Sequence, residues 1–376
     1  MNRFETFLLT AVLGAVVVAS TADTASLHVN TRSVEELSSA VAATSSLSKA
    51  HRVIAFPDGS LLTLHHEPNT WERNAIGATL TRPDGKTKVF WAENFVPEGI
   101  GKDSRPAPRT VGQIYGGTLF PDGDTMAISL GWVDTQGKSH NAIGIRSLSK
   151  GLQNLIELDG TVRDLAAGPG NLLLAVVYLP GRMRAGEGSP LLIALDTKGV
   201  IHGEFFRLAP NADLHTIGDS VHKARVERID DTHFSFYQDL ESTVSSLEIG
   251  ASADAVRASP TPKLVRWPVK ASYSGAESVN LLVKNSIHLA DPEIATKSAG
   301  LTTAVHTDKD GSVTVVRSYS QPRPHTTVLQ YRSGETDPKV WSPATPWRAA
   351  YWMGDILVGV ANQGDATVLE SVKFQN

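Results

Sequence analysis

Short apolar runs, broken by clusters of Pro, Asp, Asn and Gly, follow one another along most of the chain, and helical periodicity is weak outside residues 33–50. Such runs bounded by turn residues predict strands. Phe56-Pro57-Asp58-Gly59 leads into Ser60-Leu61-Leu62-Thr63-Leu64, and Phe120-Pro121-Asp122-Gly123 leads into Asp124-Thr125-Met126-Ala127-Ile128. Gly168-Pro169-Gly170-Asn171 and Asp308-Lys309-Asp310-Gly311 precede similar runs. In each, Pro presets φ, Asp caps the turn through its side chain, and Gly takes a backbone conformation that other residues resist. A second piece recurs after the first two turns, as Asn74-Ala75-Ile76-Gly77 and Asn141-Ala142-Ile143-Gly144. Further on, Pro83-Asp84-Gly85 leads to Phe90-Trp91, Asp196-Thr197-Lys198-Gly199 to Phe205-Phe206, and Ser333-Gly334 to Trp341. Fainter copies surround Asp230-Asp231 and Met353-Gly354-Asp355.

The unit is therefore strand, turn, strand, loop, strand, turn, strand. Four short antiparallel strands per repeat of roughly 45–60 residues predict the blades of an all-β propeller. First strands are expected near His51, Val111, Arg163, Lys223, Leu301 and Trp347, which makes six blades. Residues 271–300 are too long for a turn and too short for a comfortable blade, so a seventh stays open. The last unit runs out of chain after three strands, and residues 26–32 are expected to supply its fourth and close the ring. Closure removes open sheet edges. The pattern resembles six-bladed propellers of the broad NHL and gluconolactonase-like type over residues 47–376.

The N-terminus adds a compartment. Met1-Asn2-Arg3 is a short basic start, residues 7–19 are mostly apolar, and Ser20-Thr21-Ala22 supplies the small-x-small pattern of a signal-peptidase site. Residues 1–22 are read as a signal peptide, 23–50 as closing strand and linker, and 51–376 as the propeller, with a cut after Ala25 as the other option. The apolar run falls short of the roughly 20 residues that span a bilayer, so a secreted or periplasmic protein without a membrane span is expected. The chain has no cysteine, which excludes disulfides, thiolate nucleophiles and thiolate metal sites and fits a bacterial envelope protein. A net charge of −4 over 376 residues gives no reason to expect nucleic acid as a partner.

Candidate chemistry sorts by face. The Pro-Asp-Gly turns lie opposite the face on which propellers of this kind hold ligands, so Asp58, Asp122 and Asp310 are read as turn caps. Four loops on the ligand face stand out: residues 97–110, 65–73, 180–189 and 213–222. The last gathers Asp213, His215, Asp219 and His222, candidate ligands for a divalent metal or simply solvated turn caps. Gly218-Asp219-Ser220-Val221 lacks the strand-to-helix context of a hydrolase nucleophile. Arg52, Arg109, Arg163, Arg225 and Arg348 sit at or near the starts of five first strands, where they can converge on one channel mouth and focus a positive potential. Neighbouring acids such as Asp164, Glu227 and Glu98 can neutralise them instead. Two function classes follow. One is a binding or scaffold protein that holds an anionic small molecule or a protein partner. The other, implied by the resemblance, is a metal-dependent hydrolase or lactonase.

Overall fold

A computed structural model describes residues 50–65, 77–95, 113–133, 138–178, 188–207, 224–238, 243–250, 280–288, 301–308, 310–319, 323–332, 337–363 and 366–374. They form six antiparallel sheets, five of four strands and one of three. Blade one holds β1 (Ala50–Ala55), β2 (Leu61–His65), β3 (Gly77–Thr81) and β4 (Thr87–Trp91). Blade two holds β5 (Gln113–Leu119), β6 (Thr125–Val133), β7 (Ser139–Ser147) and β8 (Gly151–Leu158). Blade three holds β9 (Thr161–Ala167), β10 (Leu172–Tyr178), β11 (Pro190–Asp196) and β12 (Ile201–Arg207). Blade four holds β13 (Arg225–Arg228), β14 (His233–Gln238), β15 (Thr243–Gly250) and β16 (Asn280–His288). Blade five holds β17 (Leu301–Thr307), β18 (Val313–Tyr319), β19 (His325–Tyr331) and β20 (Lys339–Trp341), and blade six β21 (Trp347–Met353), β22 (Ile356–Gln363) and β23 (Ala366–Lys373). The protein is a six-bladed β-propeller.

The turns form where the sequence places them. Phe56 and Phe120 each accept a hydrogen bond from the turn glycine three residues on, and Gly59 and Gly123 take φ of 80° and 66°. Asp58 accepts from the Ser60 amide and hydroxyl, and Asp122 from the amides of Asp124 and Thr125 and the Thr125 hydroxyl. Asp310 accepts from the Ser312 amide. These carboxylates are turn caps. Residues 271–300 do not make a seventh blade, because the strand within them, β16, pairs along β15 as the outer edge of blade four.

Apolar faces of neighbouring sheets pack on each other. Ile143, Ile145 and Ile156 of blade two meet Leu165, Leu173, Ile193 and Leu195 of blade three. Val53 and Leu61 of blade one meet Ala349, Tyr351, Val358 and Val360 of blade six, which joins the first sheet to the last. Burying a side chain of this size contributes about 1.5–3 kcal/mol. Residues 1–49 lie outside the described residues, and with them the signal peptide and the closing strand expected at 26–32. Among the described residues no helix is long and apolar enough to cross a membrane.

Candidate functional site

The innermost strands β1, β5, β9, β13, β17 and β21 line the axis, and five of them share one irregularity. The pairing register skips His51, Tyr115, Arg163, Thr303 and Arg348. Each lies five residues before the end of the first turn's opening pair, so the bulges form one level near the strand starts. A bulge re-aims the side chains around it and sharpens the local twist. The next residue along each strand forms a second level, which holds Arg52, Gly116, Asp164, Arg225, Ala304 and Ala349.

Two of the expected arginines, Arg52 and Arg225, lie on that second level. The Arg52 guanidinium donates to both oxygens of Asp164 at 2.8 Å each, a bidentate pair that reaches from blade one to blade three. Gly116 of blade two lies between them in sequence order, and its missing side chain is what the pair requires. A Cβ there would stand 2.8 Å from Asp164 Oδ1 and 2.9 Å from the Arg163 carbonyl. Asp164 is fully buried and also accepts from the amides of Leu165 and Val226, at 3.0 Å each. Four donors therefore hold one carboxylate and tie blades one, three and four together. Burial works against the Arg52 charge, but Asp164 outweighs it and holds the guanidinium above its ordinary pKa. Arg52 is thus neutralised by one of the protein's own acids.

Arg225 lies in the same electrostatic cluster. Its Nη1 donates to the Ala224 carbonyl at 2.8 Å, while burial and the nearby Arg52 charge lower its pKa to about 10. It remains a cation at neutral pH. Arg163 lies over the Tyr115 ring with 4.2 Å from Cζ to the centroid, and Tyr115 in turn donates to Gln113 Oε1 at 2.8 Å. Burial pulls the Arg163 guanidinium down. Arg348 is half-buried, its Nε and Nη2 are buried atoms with no hydrogen-bond partner among the described residues, and burial lowers its pKa.

Two residues beyond Arg225, Glu227 accepts from the Val305 amide of blade five. It keeps some exposure to the channel, yet protein atoms crowd its carboxyl, and burial pushes its pKa up to about 7 against the pull of His306 and Arg52. His306 stacks on Trp352 of blade six with centroids 4.4 Å apart. Side chains of one blade thus cap backbone amides of the next: Thr118 Oγ1 accepts from Ala167, Asp164 from Val226 and Glu227 from Val305. An inner strand pairs on one side only, and these acceptors satisfy donors that its other edge leaves bare.

Arg52 and Arg225 are brought together, Arg163 and Arg348 occupy the bulge level, and Arg109 lies outside the described residues. So do Asp213, His215, Asp219 and His222, and no group of three or more metal-ligating side chains occurs among the described residues. The sequence reading missed Tyr115, Gly116 and His306. Aligning the repeats on their first turns would have found Tyr115, which has the same offset from Phe120 as Arg163 has from Gly168.

No protein-family model matches the chain, and no curated protein is similar to it in sequence. Solved structures resemble it in fold alone. A protein from Lactobacillus plantarum is 9% identical, with 87% of this chain and 84% of that one covered and a TM-score of 0.42. The β-propeller domain of the Trilobed protease from Pyrococcus furiosus is 11% identical, with 87% and 95% covered and a TM-score of 0.41. A putative 6-phosphogluconolactonase from Bacteroides fragilis is 10% identical, with 84% and 94% covered and a TM-score of 0.34.

Proposed function

We propose that this propeller is an exported binding protein that holds a small anionic ligand at the end of its channel where the inner strands begin. The observation that carries the reading is Arg348, whose Nε and Nη2 are buried and have no hydrogen-bond partner among the described residues. Arg52, Arg163, Arg225 and Arg348 lie on the inner strands toward their starts, and Asp164 and Glu227 are the inner-strand carboxylates among the described residues. Asp164 is committed to Arg52. Burying a cation without compensation is costly, and a bound anion supplies the compensation. Arg suits this because its planar fork grips carboxylate, sulfate or phosphate oxygens in pairs. Export rests on the apolar run at residues 7–19 and the Ser20-Thr21-Ala22 site.

Isothermal titration with sulfate and with citrate tests the reading. Both should bind in the micromolar to millimolar range, and Arg348→Gln and Arg163→Gln should each weaken binding about tenfold or more, the scale of one charge-assisted hydrogen bond. Absence of binding by either anion, or variants that bind as the natural chain does, would refute it.

A further inference from the structure

The channel cluster treats its two acids unequally. Among the described residues, Asp164 receives two guanidinium donors and two backbone amides, whereas Glu227 receives the Val305 amide. Both lie in one buried field. Arg52 of β1 and Asp164 of β9 act on Glu227 and Arg225 alike, Arg225 stands two residues away on β13, and His306 faces Glu227 from β17. Tyr237 of β14 acts on Arg225. With Arg52 committed to Asp164, Glu227 is the less hydrogen-bonded of the two carboxyls, and crowding by protein atoms prepares it to take a proton.

We propose that Glu227 is a proton switch inside the ligand site: its carboxyl is neutral when an anion is bound, and the site holds anions more tightly as pH falls. This rests on the anion-binding reading above. The geometry supplies the coupling. Along β13 two residues span about 6–7 Å, so Glu227 lies within a Debye length of Arg225 and of any anion that Arg225 helps to hold. An ionised Glu227 repels that anion and competes for the same guanidinium groups; a neutral one does neither. Burial already sets the carboxyl to titrate near pH 7, so the exchange falls in a physiological range. By linkage, whatever factor protonation adds to anion affinity, anion binding adds to proton affinity.

The probe is sulfate, whose charge does not change between about pH 5.5 and 8.5. Calorimetric titration at pH 7 in two buffers of different ionisation enthalpy should show net proton uptake on binding. Affinity should fall about tenfold from pH 5.5 to 8.5, the scale of typical coupling between sites. Glu227→Gln should bind as tightly at pH 8.5 as at 5.5 and take up no proton, and His306→Gln should retain the pH slope. Sulfate binding that is flat with pH and releases or absorbs no proton would overturn the switch while leaving the anion site intact, as would a Glu227→Gln variant with an unchanged slope. No sulfate binding at any pH would overturn both.

Discussion

At the scale of single residues, the decisive group is Asp164. It has no exposure, and all four of its described partners are donors, so nothing in its surroundings accepts a proton from it. Asp164→Asn would turn an amide NH2 toward a guanidinium and leave Arg52 buried without its counter-charge. Removing one partner of such a pair costs about 3–5 kcal/mol. Denaturant unfolding of the variant should show a loss of this size, and combining it with Arg52→Gln should restore part of it. A loss below about 1 kcal/mol would mean that the bridge is not a structural bond. The sequence offered Asp164 and Glu227 as neutralising acids, since both are close to arginines in the chain. It could not offer Arg52 as the partner of Asp164. The two are 112 positions apart, and only the ring brings them within reach.

At the scale of strands and turns, much of the architecture was legible because turn chemistry is local. Pro, Asp and Gly act on their own neighbours, so Phe56-Pro57-Asp58-Gly59 and Phe120-Pro121-Asp122-Gly123 announce their turns wherever the chain goes afterwards. β16 was illegible for the opposite reason. Residues 251–279 separate it from β15, its partner, and the regular spacing that marks the other outer strands is lost. Blade six has three strands among the described residues, and residues 26–32 are the segment expected to complete it along β23. Exported protein should begin at Asp23 or Ser26, and amides of residues 26–32 in that material should exchange slowly with deuterium. A mature chain that begins at Met1, or rapid exchange throughout 26–32, would refute the respective expectation.

For the whole molecule, Glu227 of the channel contributes to how stability responds to pH. The folded state raises Glu227 from its ordinary value of 4.5 to about 7, so the native chain binds more protons than the unfolded one between those values. Stability supplied by this group is therefore present below about pH 4.5 and is lost as pH rises toward 7. The ceiling is about 3 kcal/mol, reduced by the group's residual exposure. Asp230 runs the other way: its pKa is lowered to about 2, against burial, by the amides of Thr232 and His233 and the His233 ring, so its contribution fades only in strong acid. Glu227→Gln should leave the thermal midpoint nearly unchanged at pH 5 and raise it at pH 8. An equal shift at both would show that ionisation of Glu227 plays no part. That a buried carboxyl here would titrate so high was not legible in the sequence, because the shift comes from burial and from groups on blades one, three and five, which are far from it in the chain.

The bridge from Arg52 to Asp164 has a bearing on assembly. Two adjacent blades set an angle between them, and a bond that skips a blade checks the sum of two such angles. Because Asp164 also takes the Val226 amide, the first four blades are measured against one another by groups of fixed length. Every part of that ruler lies within the first 228 residues, and domains form as units while a chain emerges N-terminus first. The arc can thus acquire the curvature of a hexagon before the last two blades have been made, and they then enter a gap whose width is already decided.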